Sequence, residues 1–542
     1  MARSTVHYAD SETNAILKKL HNKLRPAGTP VQRVEYIIEL LLLRIFEVKL
    51  KHEAAFAPLR GMFKGDNENL VFSSLISTPN DQILKLLNSG FFPFYSNILS
   101  NARRVLTDNP SMLVQDQLVL LEEVFGHSNF TNNVKSGNLH EVIGLVSEID
   151  EERILKTDLL GDAIESALSE TGGTEEMGLH RTPDHVRQLM VAMVQPAFDD
   201  SLFDPTAGTG GFLFDGFDYV LQSVTKDGRW PGSKAHPELA AWFREHFAKK
   251  TSLMPSREAA TDFYRGGAQG IEYLGMIRKM AAINFYIRGL NPANILQGDS
   301  LAMFKREFLP ESKTAIIANP PFGAERDQEA YPDVYAEYPR ESETTILFVK
   351  LMLETLKPGG RCAVVVSDGF MTWDQSSARA LRKSLLDEAN LKAIISLPQG
   401  LFVSKKGQGA KTSILYFEKG TPTRSIWFYK VTNDGFSMGV NRKVIPGCQL
   451  VEVLDFFTNY VRAGQTPPET QHSFSVPAEW IKALDPRVKE RIRMETRAGL
   501  SARAEQERVA LIESLKLALR AFVWVIWVHL HDGSAFRFAP GS

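Results

Sequence analysis

Two cysteines, Cys362 and Cys448, are all that the 542 residues contain. They cannot build a disulfide framework or a cysteine-rich zinc site, and so few thiols suit a reducing compartment. A long apolar run is also missing. The longest, Ala521 to Val528, falls short of the roughly 18 residues that cross a bilayer. No apolar signal region follows Met1-Ala2-Arg3-Ser4-Thr5, so the expectation is a cytoplasmic chain without membrane contact. Nor is there an excess of one charge: 62 Lys and Arg face 64 Asp and Glu, a net charge of −2. A nucleic-acid partner would need a local basic surface, or one supplied by another subunit. What is present is ordinary for a globular protein, with 44% hydrophobic and 23% charged residues. The length is too great for one core, and about two to four domains are expected.

Residues 1–165 carry helical patterns. Val31 to Val48 has apolar residues at helical spacing behind Thr29-Pro30, an N-cap and first-turn pair, and Ser111 to Phe125 and Leu139 to Ile149 repeat it. Residues 1–60 hold ten Lys/Arg against six Asp/Glu, the signature of a solvated face or of one turned to DNA. After Asp158 to Glu165, the polar break Thr171-Gly172-Gly173-Thr174 separates this region from the rest of the chain. Three domains are expected: a helical one over 1–165, a sheet-bearing one over 166–465 and a helical, partner-binding tail over 466–542. Between 200 and 420, apolar runs alternate with helical stretches, as a parallel sheet requires. Strands are expected near 201–204, 268–272, 294–298, 314–318, 361–366, 392–397 and 412–418, the last two joined by the polar loop Gln399 to Lys411. Arg424 to Val431 fits one more strand, Pro467-Pro468 marks a linker, and Ser501 to Leu530 reads as helix. The expected fold is α/β: a mostly parallel, seven-stranded Rossmann-like sheet, with a helical domain before it and a small helical region after it.

Chemistry concentrates at the ends of these strands. Asn319-Pro320-Pro321-Phe322 follows the run Thr314 to Ala318, and two prolines force the backbone out of the sheet at Asn319. In an open α/β sheet that exit is where ligands sit. An Asn fixed there is a donor–acceptor fork, and Phe322 beside it is a flat apolar face. The pair suits a planar ring that bears an exocyclic amine. Upstream, Asp204-Pro205-Thr206-Ala207-Gly208-Thr209-Gly210-Gly211 follows the first strand and opens a helix, its glycines permitting a tight turn and close approach of a ligand. It has neither the Gly-Lys-Ser/Thr ending of a phosphate loop nor the spaced dinucleotide fingerprint. Glu272 ends the next strand, placed to accept two ribose hydroxyls, and Asp299 ends the one after, placed to accept from an adenine amine. Each carboxylate alone reads as a helix cap before it reads as a ligand contact. Thr182-Pro183 opens a helix as cap and first residue, or turns a helix N-terminus to a ligand carboxylate.

The glycine-rich stretch 204–211 together with Asn319-Pro320-Pro321-Phe322 resembles the amino-methyltransferases of DNA that use S-adenosylmethionine. More narrowly, the chain resembles the modification (methylase) subunit of type I restriction–modification systems over most of residues 1–460. That match includes Leu160-Gly161 to Glu165, Thr182-Pro183, Ser396-Leu397-Pro398-Gln399-Gly400 and Ile426-Trp427-Phe428-Tyr429. His180-Arg181 departs from it, standing where an aromatic pair often precedes Thr-Pro, and 517–542 is unlike the family's usual tail. The resemblance implies methyl transfer from S-adenosylmethionine to N6 of an adenine flipped out of double-stranded DNA. It implies Asn319, Pro320, Pro321 and Phe322 as the catalytic set and no metal. The cofactor would be held by Thr182, Pro183, Asp204 to Gly211, Glu272 and Asp299. Only about 120 residues follow position 420, so bases would be read by a separate specificity subunit holding two copies of this chain, with an ATP-using restriction subunit in the full complex. The loop with Lys405, Lys406 and Lys411 suits phosphate contact or a solvated hairpin, and Asp327 to Arg340, with three tyrosines, suits closure over DNA or a surface loop. Two other readings stay open: methylation of an RNA base or a protein glutamine, and a non-catalytic DNA-binding scaffold.

Overall fold

The computed structural model describes residues 11–28, 30–106, 112–126, 128–131, 134, 136–151, 154, 182–224, 230–231, 235–248, 255–287, 290–322, 338, 341–402, 411–437 and 442–483. The expected domain break at 171–174, the Leu160 to Glu165 stretch, His180-Arg181, Lys405-Lys406 and the expected helix 501–530 lie outside them. Helices dominate the N-terminal part. Helix α1 (Pro30–His52), α2 (Met112–Phe125) and α3 (Ser136–Ser147) match the three periodic stretches read from the sequence. Helix α1 is apolar on most sides and lies at the centre of this layer, with Leu40, Leu41, Leu42 and Phe46 fully buried.

The next part of the chain is built on one sheet. Its strands are β1 (Leu202–Asp204), β2 (Ala268–Glu272), β3 (Ile295–Gln297), β4 (Lys313–Ala318), β5 (Leu356–Ser367), β6 (Ala389–Ser396), β7 (Thr412–Lys419), β8 (Ser425–Lys430) and β9 (Ser473–Pro477). They lie in the order β3-β2-β1-β4-β5-β7-β6-β8-β9. The expectation of seven mostly parallel strands is corrected: the sheet has nine strands and is mixed. Strand β7 runs antiparallel between β5 and β6, and β9 runs antiparallel to β8. Strand β9 extends the sheet into the stretch expected to be a helical tail.

Helices α4 (Asp184–Val194), α5 (Gly211–Val224), α6 (Gly275–Ile287) and α7 (Thr344–Thr355) cover the sheet. Helix α6 belongs to two cores. Ile277, Met280, Ile283 and Tyr286 pack with the N-terminal helices, while Ala281 and Phe285 pack with the sheet. Polar contacts follow the same seam: Lys279 meets Glu39 at 3.0 Å, Tyr264 donates to Asp116 at 3.1 Å, and the Lys49 ammonium lies 4.5 Å from the centre of the Tyr286 ring. Strand order reverses at β1, with β2 and β3 on one side and β4 and β5 on the other. This switch point brings the turn after β1 beside the turn after β4. No helix among the described residues is long and apolar enough to cross a membrane.

Candidate active site

Strand β1 ends at Asp204, which is 1% exposed. Its Oδ1 accepts from the Thr206 backbone N–H at 2.9 Å and from the Thr206 hydroxyl at 3.2 Å, a local turn that lifts the chain off the strand. Ala207 N–H then bonds to the Ile271 carbonyl at 2.9 Å, and Gly210 N–H to the Ala207 carbonyl at 2.8 Å. Two glycines in this turn have left-handed backbone for different reasons. At Gly210 (φ +90°) a Cβ would sit 2.5 Å from the Phe214 ring. At Gly208 (φ +55°) it would meet nothing within 4 Å, so bare backbone faces open space. Gly270 on β2 makes room behind the turn, since a Cβ there would lie 2.7 Å from Ala207 and 2.8 Å from Leu213.

Glu272, at the end of β2, closes one side. Its Oε2 accepts from Gly208 N–H at 3.0 Å and its Oε1 from Leu274 N–H at 2.8 Å. The carboxylate thus ties the glycine turn to the neighbouring strand, and the Tyr273 N–H is a third backbone donor to it. Burial holds both acids toward their neutral forms. It pushes Asp204 up to about 7, with the Glu272 charge adding to the effect, and it raises Glu272 against the pull of its backbone donors. Asp299 ends β3 and caps the short helix Ser300–Met303, its Oδ1 accepting from Leu301 N–H at 3.0 Å.

Across the switch point, Asn319 leaves β4 and donates from Nδ2 to the Thr182 hydroxyl at 2.9 Å, over 137 residues of sequence. The expected cap at Thr182 is corrected. Helix α4 starts at Asp184, and its N-cap position is taken by Pro183, whose ring has no capping group, while the Thr182 hydroxyl accepts from Asn319. Thr344 donates to the Pro321 carbonyl at 2.9 Å and pins the proline pair from α7. Phe322 meets the edge of Phe402 at 6.0 Å and 76°. The structure therefore brings together Thr182, the turn 204–211, Glu272 and Asn319 to Phe322.

Several residues at this site carry no sequence signal of their own. Arg187 on α4 bonds Asp215 of α5 at 2.9 Å and the Thr182 carbonyl at 3.3 Å, joining the two entrances. Asn284 on α6 donates to the Thr209 carbonyl at 3.3 Å. Phe402 and Thr344 complete the group. Of that loop's three lysines, only Lys411 is described, with its ammonium 3.8 Å from the Asp368 carboxylate. Of the tyrosine insertion, only Tyr338 is described, with the Lys350 ammonium 5.8 Å from its ring centre.

The N-6 DNA methylase family model matches residues 155–492, more than half of the chain and all of this site. The chain belongs to the N-6 DNA methylase family. It is an adenine-specific DNA methyltransferase, and its relatives agree with the resemblance to type I modification subunits. It is 28% identical to the type I restriction enzyme EcoEI methylase subunit of Escherichia coli, over 77% of this chain and 77% of that one. It is 25% identical to the StySPI methylase subunit of Salmonella potsdam, over 91% of this chain and 78% of that one. The fold is similar to that of the methyltransferase subunit of a type I restriction-modification system from Streptococcus thermophilus. There the TM-score is 0.58 at 16% identity, over 87% of this chain and 97% of that one.

Proposed function

We propose that the chain is the modification subunit of a type I restriction–modification complex, and that it methylates N6 of a flipped-out adenine using S-adenosylmethionine. The observation that carries this reading is the Asn319–Thr182 bond beside the open glycine turn. The residues fit the cofactor: bare backbone at Gly208 permits close approach, and the Glu272 carboxylate beside it suits a ribose hydroxyl. Thr182, Pro183, Asp204 to Gly211, Glu272 and Asp299 hold it. Once bound, S-adenosylmethionine supplies a methyl group on a sulfonium, a strong electrophile.

The chain's task is to make a poor nucleophile attack. The adenine amine has its lone pair spread into the ring. Thr182 fixes the amide of Asn319 with Nδ2 toward the hydroxyl, so Oδ1 lies on the opposite side. Asn319 Oδ1 and the Pro320 carbonyl accept the two N–H bonds of the amine. They make its nitrogen more tetrahedral and stabilise the positive charge that develops there. The extra proton leaves for solvent after transfer. Phe322, braced by Phe402, stacks on a base taken out of the duplex. Bases are read by a separate specificity subunit that holds two copies of this chain, a restriction subunit joins them, and the assembly works in the cytoplasm.

Transfer of a radiolabelled methyl group to DNA, with and without the specificity subunit, tests this directly. Label is expected in N6-methyladenine of duplex DNA. Label in RNA or protein, or none at all with the complete assembly, would overturn it. Asn319→Ala is expected to lower the rate by at least on the order of a hundredfold, the usual loss for one oriented transition-state group, with cofactor affinity kept.

A further inference from the structure

Helix α4, whose entrance carries Thr182, is held from far along the chain. Buried His185 bonds through Nε2 to Asp434 Oδ2 at 2.8 Å. A carboxylate only accepts, so this nitrogen carries the proton. Asp434 is itself 1% exposed and takes Arg442 on both oxygens, at 2.5 and 2.7 Å. The Phe436 ring lies 4.5 Å from the imidazole.

Asp434 belongs to a segment beyond β8 whose described stretches, 431–437 and 442–448, are pinned along their length. Gln449 Oε1 accepts from Thr432 N–H at 2.7 Å and Asn433 N–H at 2.9 Å. Glu238 accepts from Gly447 N–H at 2.8 Å and Cys448 N–H at 2.9 Å. Ile445 N–H bonds to the Gly435 carbonyl at 2.8 Å. Held at so many points, the segment presents Asp434 as a fixed post. His185 is tied to that post one residue into α4, three residues after Thr182.

We propose that Asp434 is a positioning residue for Asn319, acting through His185 and the Thr182 hydroxyl. The proposal rests on the functional reading above. Thr182 is tied to α4 through Arg187, which bonds its carbonyl at 3.3 Å, so its hydroxyl sits where the first turn of α4 puts it. A shift of that turn carries the hydroxyl away and releases the amide of Asn319 to rotate. The acceptor meant for the amine then loses its direction, and small displacements of such groups lower rates steeply.

The test compares Asp434→Asn, Thr182→Val and the double variant in the full chain assembled with its specificity subunit. An Asn side chain puts an NH2 donor where Asp has an oxygen, so either the partners of Oδ1 (Arg442 and Phe436 N–H) or those of Oδ2 (Arg442 and His185) face a donor, and the charge that holds Arg442 is gone. Asp434→Asn is expected to lower kcat about tenfold, with cofactor Kd and KM for DNA within about threefold of the parent. On the Thr182→Val background it is expected to cost almost nothing more, because both changes act through one hydroxyl. His185→Gln, which can still donate to Asp434, should keep most of the rate while His185→Ala should not, and this pair decides if Asp434→Asn fails to fold. An unchanged kcat, or a full tenfold loss on the Thr182→Val background, overturns the proposal. A parent that methylates no DNA overturns the functional reading instead.

Discussion

Replacing Asp204 by Asn should make the cofactor-free protein more stable at high pH, by a margin that grows up to about pH 7 and then levels off. The carboxyl is buried, and burial shifts it from 3.8 to about 7. In the unfolded chain the same group ionises near its ordinary value. Between about pH 4 and 7 the folded protein therefore holds a proton that the unfolded chain has released. Stability is lost as pH rises through that window and stays low above it. At about 1.36 kcal/mol per pKa unit, roughly three units amount to about 4 kcal/mol, and local relaxation brings the expected figure to about 2–4 kcal/mol. Asn keeps the side-chain oxygen that accepts both bonds from Thr206, so the turn survives while the titration disappears. Thermal melts of both proteins from pH 4.5 to 8.5 measure the effect. The variant should match the parent near pH 4.5 and melt several degrees higher at pH 8. A difference that is the same at every pH refutes the burial argument. With cofactor the order reverses: a bound cation favours the carboxylate, so the parent should bind more tightly from pH 6 to 8 while the variant stays flat.

Three further outcomes are expected. Thr182→Val should lower kcat about tenfold, the equivalent of one lost hydrogen bond of about 1–1.5 kcal/mol, while Thr182→Ser should restore most of it in the methyl-transfer assay. Gly208→Ala should cost only about 1 kcal/mol in denaturant titrations, because the new methyl meets open space, yet weaken cofactor binding measured by calorimetry. Gly270→Ala should show the opposite balance. Its methyl would lie 2.7 Å from Ala207 and 2.8 Å from Leu213, an overpacking loss of about 1–3 kcal/mol, seen as a lower Tm before any change in chemistry.

Both turns and the strands that carry them are legible in the sequence because they are local. A buried parallel strand is a continuous apolar run, a Gly-rich turn must follow it, and a double proline must end one. Strand β9 escapes a sequence reading because Ser473–Pro477 is short, half polar and close behind Pro467-Pro468, so it reads as linker. The insertion of β7 between β5 and β6 is a pairing choice that no single strand encodes. Thr182 misleads for the opposite reason. Thr-Pro before a helix is a strong local cap signal, but the helix begins one residue later, at Asp184, and the Thr182 hydroxyl accepts from a partner 137 residues away. Arg187, Asn284 and Phe402 have no local pattern at all, since each matters only through what the fold sets beside it.

Helix α6 has a practical consequence for anyone dissecting this chain. A fragment beginning after residue 150 would keep every strand of the sheet, yet it would lay bare the Ile277, Met280, Ile283 and Tyr286 side chains that the missing helices shelter. Such a truncation should emerge sticky and prone to clump rather than as a minimal catalyst. The amino-terminal third is therefore part of what keeps the methylating half soluble.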